Sequence, residues 1–253
     1  MCIRDRHRSG INGRGALIGS CEDGVVIYQG QNTGGGYRGY ESLSQTPDIN
    51  KLMKSINITY DPSSRPNGKS SWYSGAAFTT LQKLTEDLTN QTYPNWMKSN
   101  ILDPMGMTKS RFTINPEKYY KANNLARGHK ENGDLFKIQR YPQYAAAGLY
   151  SNSIEMANMI IMLNNKGVFK QKRILSALSC EKLIHRKSHL GINVSRFGNY
   201  YHGGTNTGFR AYFVGFPNMN KNGIKSAGIV VLTNGDKNIR MLVTDAVRKV
   251  YGW

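Results

Sequence analysis

The feature that most narrows the fold is a change of period late in the chain. From Phe209 the apolar residues stop recurring at helical spacing, and Phe209-Arg210-Ala211-Tyr212-Phe213-Val214 followed by Ala227 to Thr233 reads as two strands of a hairpin. Before that point the spacing is helical. Ala77, Leu81, Leu84 and Leu88 fall on one face of a helix that starts near Tyr73, and Asn90 is placed to take a left-handed C-terminal cap. A second helix is predicted from Thr92, with Pro94 in its first turn, and stops at Asp103-Pro104. A third is announced by Asn152 with Glu155 at capping-box spacing and runs through Met156, Ala157, Ile160, Ile161 and Leu163 to Gly167. A short helix is expected over residues 176–185, and a closing helix has Ile239, Leu242, Val243, Ala246 and Val250 on one face. Helices first, then an antiparallel hairpin with a terminal helix over it, give an α+β layered architecture.

The first 70 residues are rich in Gly, Ser and Asn and read mostly as loop, with one strand candidate at Val25-Val26-Ile27-Tyr28. Gly34-Gly35-Gly36-Tyr37-Arg38-Gly39 fits G-x-G-x-x-G but opens no helix in a strand-helix-strand unit, so it reads as a turn. The expected division is 1–70 as an irregular segment and 71–253 as the folded domain. No apolar run approaches the roughly 20 residues that span a bilayer, and the polar start has no apolar core of a secretory signal. The three cysteines show neither metal-knuckle nor disulfide-framework spacing, and no metal or cofactor is expected.

Lys and Arg number 34 against 16 acidic residues, a net charge of +18. That charge favours anionic partners at long range, yet no basic-aromatic recognition pattern accompanies it. The reading is a solvated basic surface and no nucleic-acid function. Binding to DNA should accordingly be weak, nonspecific and abolished by moderate salt in a fluorescence-polarisation titration, and a sequence-selective complex that persists in high salt contradicts this.

Three segments carry a resemblance. The first is Pro66-Asn67-Gly68-Lys69-Ser70-Ser71-Trp72-Tyr73-Ser74-Gly75, followed by a helix and Leu102-Asp103-Pro104-Met105-Gly106-Met107. The second is Tyr141-Pro142-Gln143-Tyr144-Ala145-Ala146-Ala147-Gly148-Leu149-Tyr150-Ser151 and its helix, and the third Tyr201-His202-Gly203-Gly204-Thr205-Asn206-Thr207-Gly208-Phe209, with the strand Gly228-Ile229-Val230-Val231-Leu232-Thr233-Asn234 after it. Together, in this order, they resemble the serine β-lactamase-like hydrolases: class C β-lactamases, penicillin-binding DD-peptidases and related esterases. His7-Arg8-Ser9-Gly10-Ile11 is similar to a further short segment of that family.

The resemblance implies an antiparallel sheet flanked by helices, with a helical region beside it, and an acyl-serine mechanism. In the family a Ser-x-x-Lys supplies the nucleophile, a Tyr-x-Asn the proton-relaying tyrosine, and a Lys-Thr-Gly or His-x-Gly strand edge closes the site. Tyr73 matches the tyrosine, Ser74 the middle residue, and Gly75 stands for the asparagine. His202, Gly203 and Gly204 match the strand edge, and the Thr205 N–H matches one oxyanion donor. The implied catalytic residues are Tyr73 and His202, and the implied substrate contacts are Ser74, Gly75, Gly203, Gly204 and Thr205.

One departure stands out. The only Ser-x-x-Lys is Ser179-Cys180-Glu181-Lys182, far from the expected place, and it reads as coincidence. The expectation is a fragment of a serine hydrolase that lacks the N-terminal helix, the first sheet strands and the nucleophile. Such a fragment is expected to be inactive alone, and the resemblance implies an exported parent, periplasmic or secreted. His-x-Gly in place of Lys-Thr-Gly leans the small-molecule substrate away from β-lactams, toward an ester, an amide or a D-amino-acid peptide. The alternative is a nucleophile-free module that binds cell-wall peptide or another anionic ligand.

Overall fold

The computed structural model describes residues 17–19, 25–29, 39–54, 56–60, 75–120, 125–186, 190–221 and 223–252. Its first part contains β1 (Leu17–Gly19), β2 (Val25–Gln29), α1 (Ile49–Lys54), β3 (Ile56–Tyr60), α2 (Gly75–Thr89) and α3 (Tyr93–Met97), continued by a π-helical turn at Lys98–Leu102. Then come β4 (Arg111–Phe112), α4 (Glu117–Tyr120), α5 (Tyr144–Ala147), β5 (Leu149–Tyr150), α6 (Ser153–Asn164), β6 (Val168–Phe169), β7 (Lys172–Arg173) and α7 (Ala177–Leu183). Last are β8 (Asn193–Val194), β9 (Tyr200–Asn206), β10 (Phe209–Phe216), β11 (Ala227–Thr233) and α8 (Arg240–Tyr251).

The late strands form one antiparallel sheet in the order β11-β10-β9-β8. Successive side chains of a strand leave opposite faces, so the register sorts the sheet into two sides. Tyr200, Phe213 and Val230 turn toward α6 and join Ile160, Met162, Leu163, Leu102, Met105 and Met107 in the larger core. Val214, Phe216, Ile229 and Val231 turn the other way, where Val243 and Val247 of α8 cover them. A Cβ on Gly228 would lie 2.5 Å from Ile160 Cγ2, so the missing side chain is what lets α6 come down onto β11. The result is a sheet with a helix on each face, beside a helical region. It is the α+β arrangement expected.

Several helices hold at their caps and differ in their faces. Asn90 adopts φ 52°, the left-handed conformation its position called for. Asn152 caps α6 by accepting from the Glu155 N–H at 3.0 Å. Glu155 itself turns inward instead of closing the box: its carboxylate accepts from Lys109 N at 2.9 Å and from Ser110 Oγ at 2.6 Å. That pins the "LDPMGM" turn to α6.

On α2 the predicted apolar face is corrected. Leu84 is 39% and Leu88 76% exposed, whereas Thr79 and Gln82 are buried. The polar pair can go inside because both are bonded there, Thr79 Oγ1 to the Gly75 carbonyl and Gln82 to the chain around α5. On α8, Val243 and Val247 face the sheet while Leu242 and Val250 are 71% and 80% exposed, which splits the single face predicted.

The early segment contains more regular structure than its composition suggested. β1, β2 and β3 make a three-stranded antiparallel sheet with Val25 opposite Tyr60, and β2 includes the one strand predicted there. Residues 7–11 and 34–38 lie outside the described residues.

Candidate active site

The third motif is a strand edge. β9 pairs with β10 along its length, His202 opposite Phe213, Gly203 opposite Tyr212, Gly204 opposite Ala211 and Thr205 opposite Arg210. On its other side β8 reaches only Tyr200 and Tyr201. Among the described residues, therefore, the run from His202 to Asn206 has no strand beyond it. Its side chains alternate, which puts His202, half-buried, on the α6 face and Gly203 and Thr205 on the α8 face.

The direction of the backbone groups follows from one contact. Arg240 Nη1 lies 3.1 Å from the Gly204 oxygen and 3.2 Å from the Ala211 oxygen. A single nitrogen reaches both only if both carbonyls point into the gap between β9 and β10, so Gly204 and Ala211 form a hydrogen-bonded pair. The described peptides are all trans. In a trans peptide the N–H opposes the C=O, so the Thr205 N–H points away from β10, out of the uncovered edge.

Two amide side chains, Gln82 buried and Asn206 half-buried, hold the surroundings in place. Gln82, on the inner face of α2, donates to the Pro142 carbonyl at 3.1 Å and accepts from Ala145 N at 3.2 Å. Asn206, the last residue of β9, donates to the Ala147 carbonyl at 3.1 Å. The short helix α5 thus ties α2 to the end of β9. Gly75, the buried first residue of α2, lies seven positions before Gln82, about 10 Å along the helix axis.

Tyr73 and Ser74 lie outside the described residues. Gly75 is the one residue of that motif the structure places. Gln82, Asn206 and Arg240 were missed in the sequence. Only Gln82 left a trace there, as a polar residue three positions after Thr79 on a face that turns out to be inside.

Four buried or half-buried tyrosines are poor proton carriers. Burial pushes Tyr93 up to about 12, and Tyr144, Tyr150 and Tyr200 are likewise raised chiefly by burial. Tyr200 is fully buried, with its hydroxyl 2.8 Å from Asn164 Oδ1. Ser179 does helix work: it follows the N-cap Ser176, whose Oγ accepts its N–H at 3.0 Å and sits 2.8 Å from its Oγ. Both Ser179 and Lys182 are exposed on α7.

The Beta-lactamase family profile matches residues 34–250, nearly the whole of this architecture. The chain belongs to the beta-lactamase family. Solved structures of similar fold include the octameric penicillin-binding protein homologue from Pyrococcus abyssi. That likeness is 22% identical with TM-score 0.59 and covers 74% of this chain and 44% of that one. FmtA from Staphylococcus aureus is 16% identical, TM-score 0.63, over 85% of this chain and 57% of its own. D-alanine carboxypeptidase AmpC from Burkholderia cenocepacia is 16% identical, TM-score 0.57, over 82% of this chain and 68% of its own. The chain spans about half the length of the first two of these relatives. No curated protein matches it. Among the described residues no helix is long and apolar enough to cross a membrane.

Proposed function

We propose that this chain is the tyrosine-and-strand-edge half of a serine hydrolase of the beta-lactamase family, acting through an acyl-serine on an ester, an amide or a D-amino-acid peptide. The observation that carries the reading is the edge of β9 that no described strand covers, with the Thr205 N–H directed out of it and Asn206 at its end bonded to α5. A donor fixed in a strand needs no reorganisation when charge develops on a substrate oxygen, which is what oxyanion stabilisation requires.

The nucleophile is the serine of a Ser-x-x-Lys segment, supplied from outside this sequence. Its Oγ attacks the carbonyl carbon while its proton passes to the phenolate oxygen of Tyr73. The carbonyl oxygen becomes an oxyanion facing Thr205 N–H. Collapse expels the alcohol or amine, which takes the proton from Tyr73 and restores its phenolate; water then attacks the acyl-serine, giving a proton to that phenolate, and the serine oxygen takes it back as the acyl C–O bond breaks and the acid is released. Gly203 and Gly204 leave the strand edge bare so that a substrate backbone can lie against it, with His202 at its start.

The test is turnover of an activated phenyl ester by the polypeptide that carries this chain together with a Ser-x-x-Lys segment. Turnover by that polypeptide and none by the 253-residue chain alone is expected. Equal hydrolysis by both overturns the assignment of the nucleophile. The second reading, a binding module, is favoured by one observation, that Ser179 of the only Ser-x-x-Lys in this sequence is engaged by the N-cap Ser176. Saturable binding of a D-alanyl-D-alanine peptide without hydrolysis by either polypeptide would select it.

A further inference from the structure

The guanidinium of Arg240 lies on the α8 face of β9, directly beneath the bare strand edge. Its Nη1 donates to the carbonyl oxygens of Gly204 and Ala211 and stands 3.5 Å from Thr205 Oγ1. Its Nε donates to Asn238 Oδ1 at 2.9 Å, which fixes the plane of the group. A Cβ on Gly203 would lie 3.2 Å from Nη1, so the glycine leaves the room this approach needs. Arg240 is the first residue of α8, rooted in a helix that packs on the sheet.

The Gly204 C=O and the Thr205 N–H belong to one peptide group. A cationic donor on the oxygen draws electron density through the C–N bond and makes the opposite N–H a stronger donor, as in any chain of hydrogen bonds that polarise one another. That N–H is the one directed out of the edge. We propose that Arg240 is a positioning residue: from the far side of the strand it polarises the Gly204–Thr205 peptide and so strengthens the oxyanion donor. The inference rests on the hydrolase reading for its purpose, while the polarisation itself does not depend on catalysis.

The experiment is heteronuclear NMR of the substrate-free chain, reading the Gly204 carbonyl 13C and the Thr205 amide 15N, with far-ultraviolet circular dichroism confirming the fold. Arg240→Met is expected to move both signals upfield, and Arg240→Lys to bring them part of the way back. Arg240→Gln, whose amide ends two bonds short of the position of Nη1, removes the donor as Met does, is expected to move both signals in the same direction, and serves if the Met variant does not fold. Signals that stay at the wild-type positions in either folded variant overturn the proposal. In the polypeptide with its Ser-x-x-Lys segment, Arg240→Met is expected to lower kcat about tenfold with KM little changed, a part of what loss of a whole oxyanion donor costs. An unchanged kcat overturns the assistance to the oxyanion. Absence of turnover in the wild-type polypeptide speaks against the hydrolase reading alone and leaves the NMR result standing.

Discussion

Tyr73→Phe, made in the polypeptide that also carries Ser-x-x-Lys, is expected to lower turnover of an activated ester by about 10²–10⁴, the usual worth of general acid-base assistance. The substitution removes one oxygen and keeps the ring, so the melting temperature should hardly move. A phenol with a reference pKa of about 10 is a weak base near neutrality and works only when neighbouring cations stabilise its anion or the proton moves in concert. Tyr144, Tyr150 and Tyr200 are displaced in the unhelpful direction by burial, which leaves no rival among them. Near-normal turnover by a folded Phe variant, with a stability loss of about 1 kcal/mol, would reduce Tyr73 to an aromatic lid bonded through its hydroxyl.

The largest stability effect is expected at a glycine of the sheet. In Gly215→Ala the new Cβ falls 2.1 Å from Tyr200 Cζ and 2.4 Å from its hydroxyl oxygen. Tyr200 cannot move aside, because it is fully buried and its hydroxyl bonds Asn164, whose amide in turn donates to the Ala227 carbonyl at 3.1 Å. That chain of contacts joins β9, α6 and β11. Overpacking of this kind costs about 1–3 kcal/mol, and each hydrogen bond that breaks adds about 1 kcal/mol. A loss near 3 kcal/mol in a domain of this size lowers Tm by roughly 6–12 °C. A variant that melts with the wild type by calorimetry would contradict the packing described for this face.

What could be read from the sequence was whatever is fixed locally. The caps at Asn90 and Asn152 depend on residues within one turn, and both stand as expected. The hairpin of β10 and β11 announced itself through β-branched and aromatic residues. Helix faces were less legible, since a face is decided by what lies opposite it. Gln82 is inside because Pro142 and Ala145 offer it partners some 60 positions away, and no periodicity contains that information. Leu242 and Val250 face out for the same kind of reason, the sheet having taken Val243 and Val247.

The early sheet is a different case. Ile56-Asn57-Ile58-Thr59-Tyr60 alternates apolar and polar as a half-buried strand should, and this signal was overlooked amid the surrounding glycines and serines. Its partner β2 lies about 30 residues earlier, which local reading does not connect. At the candidate site the motif residues were legible one by one. The contribution of Arg240 was not, because an arginine at a helix start carries no sign of the strand it will reach.

Which residue carries the acyl group decides the mechanism. Intact-mass spectrometry after treatment with a fluorophosphonate, on the polypeptide that includes Ser-x-x-Lys and on this chain alone, measures it directly. The expected result is one adduct on the serine of Ser-x-x-Lys and an unlabelled chain, with Ser179 unmodified. Stoichiometric labelling of Ser179, or a folded Ser-x-x-Lys polypeptide that takes no adduct, would contradict it.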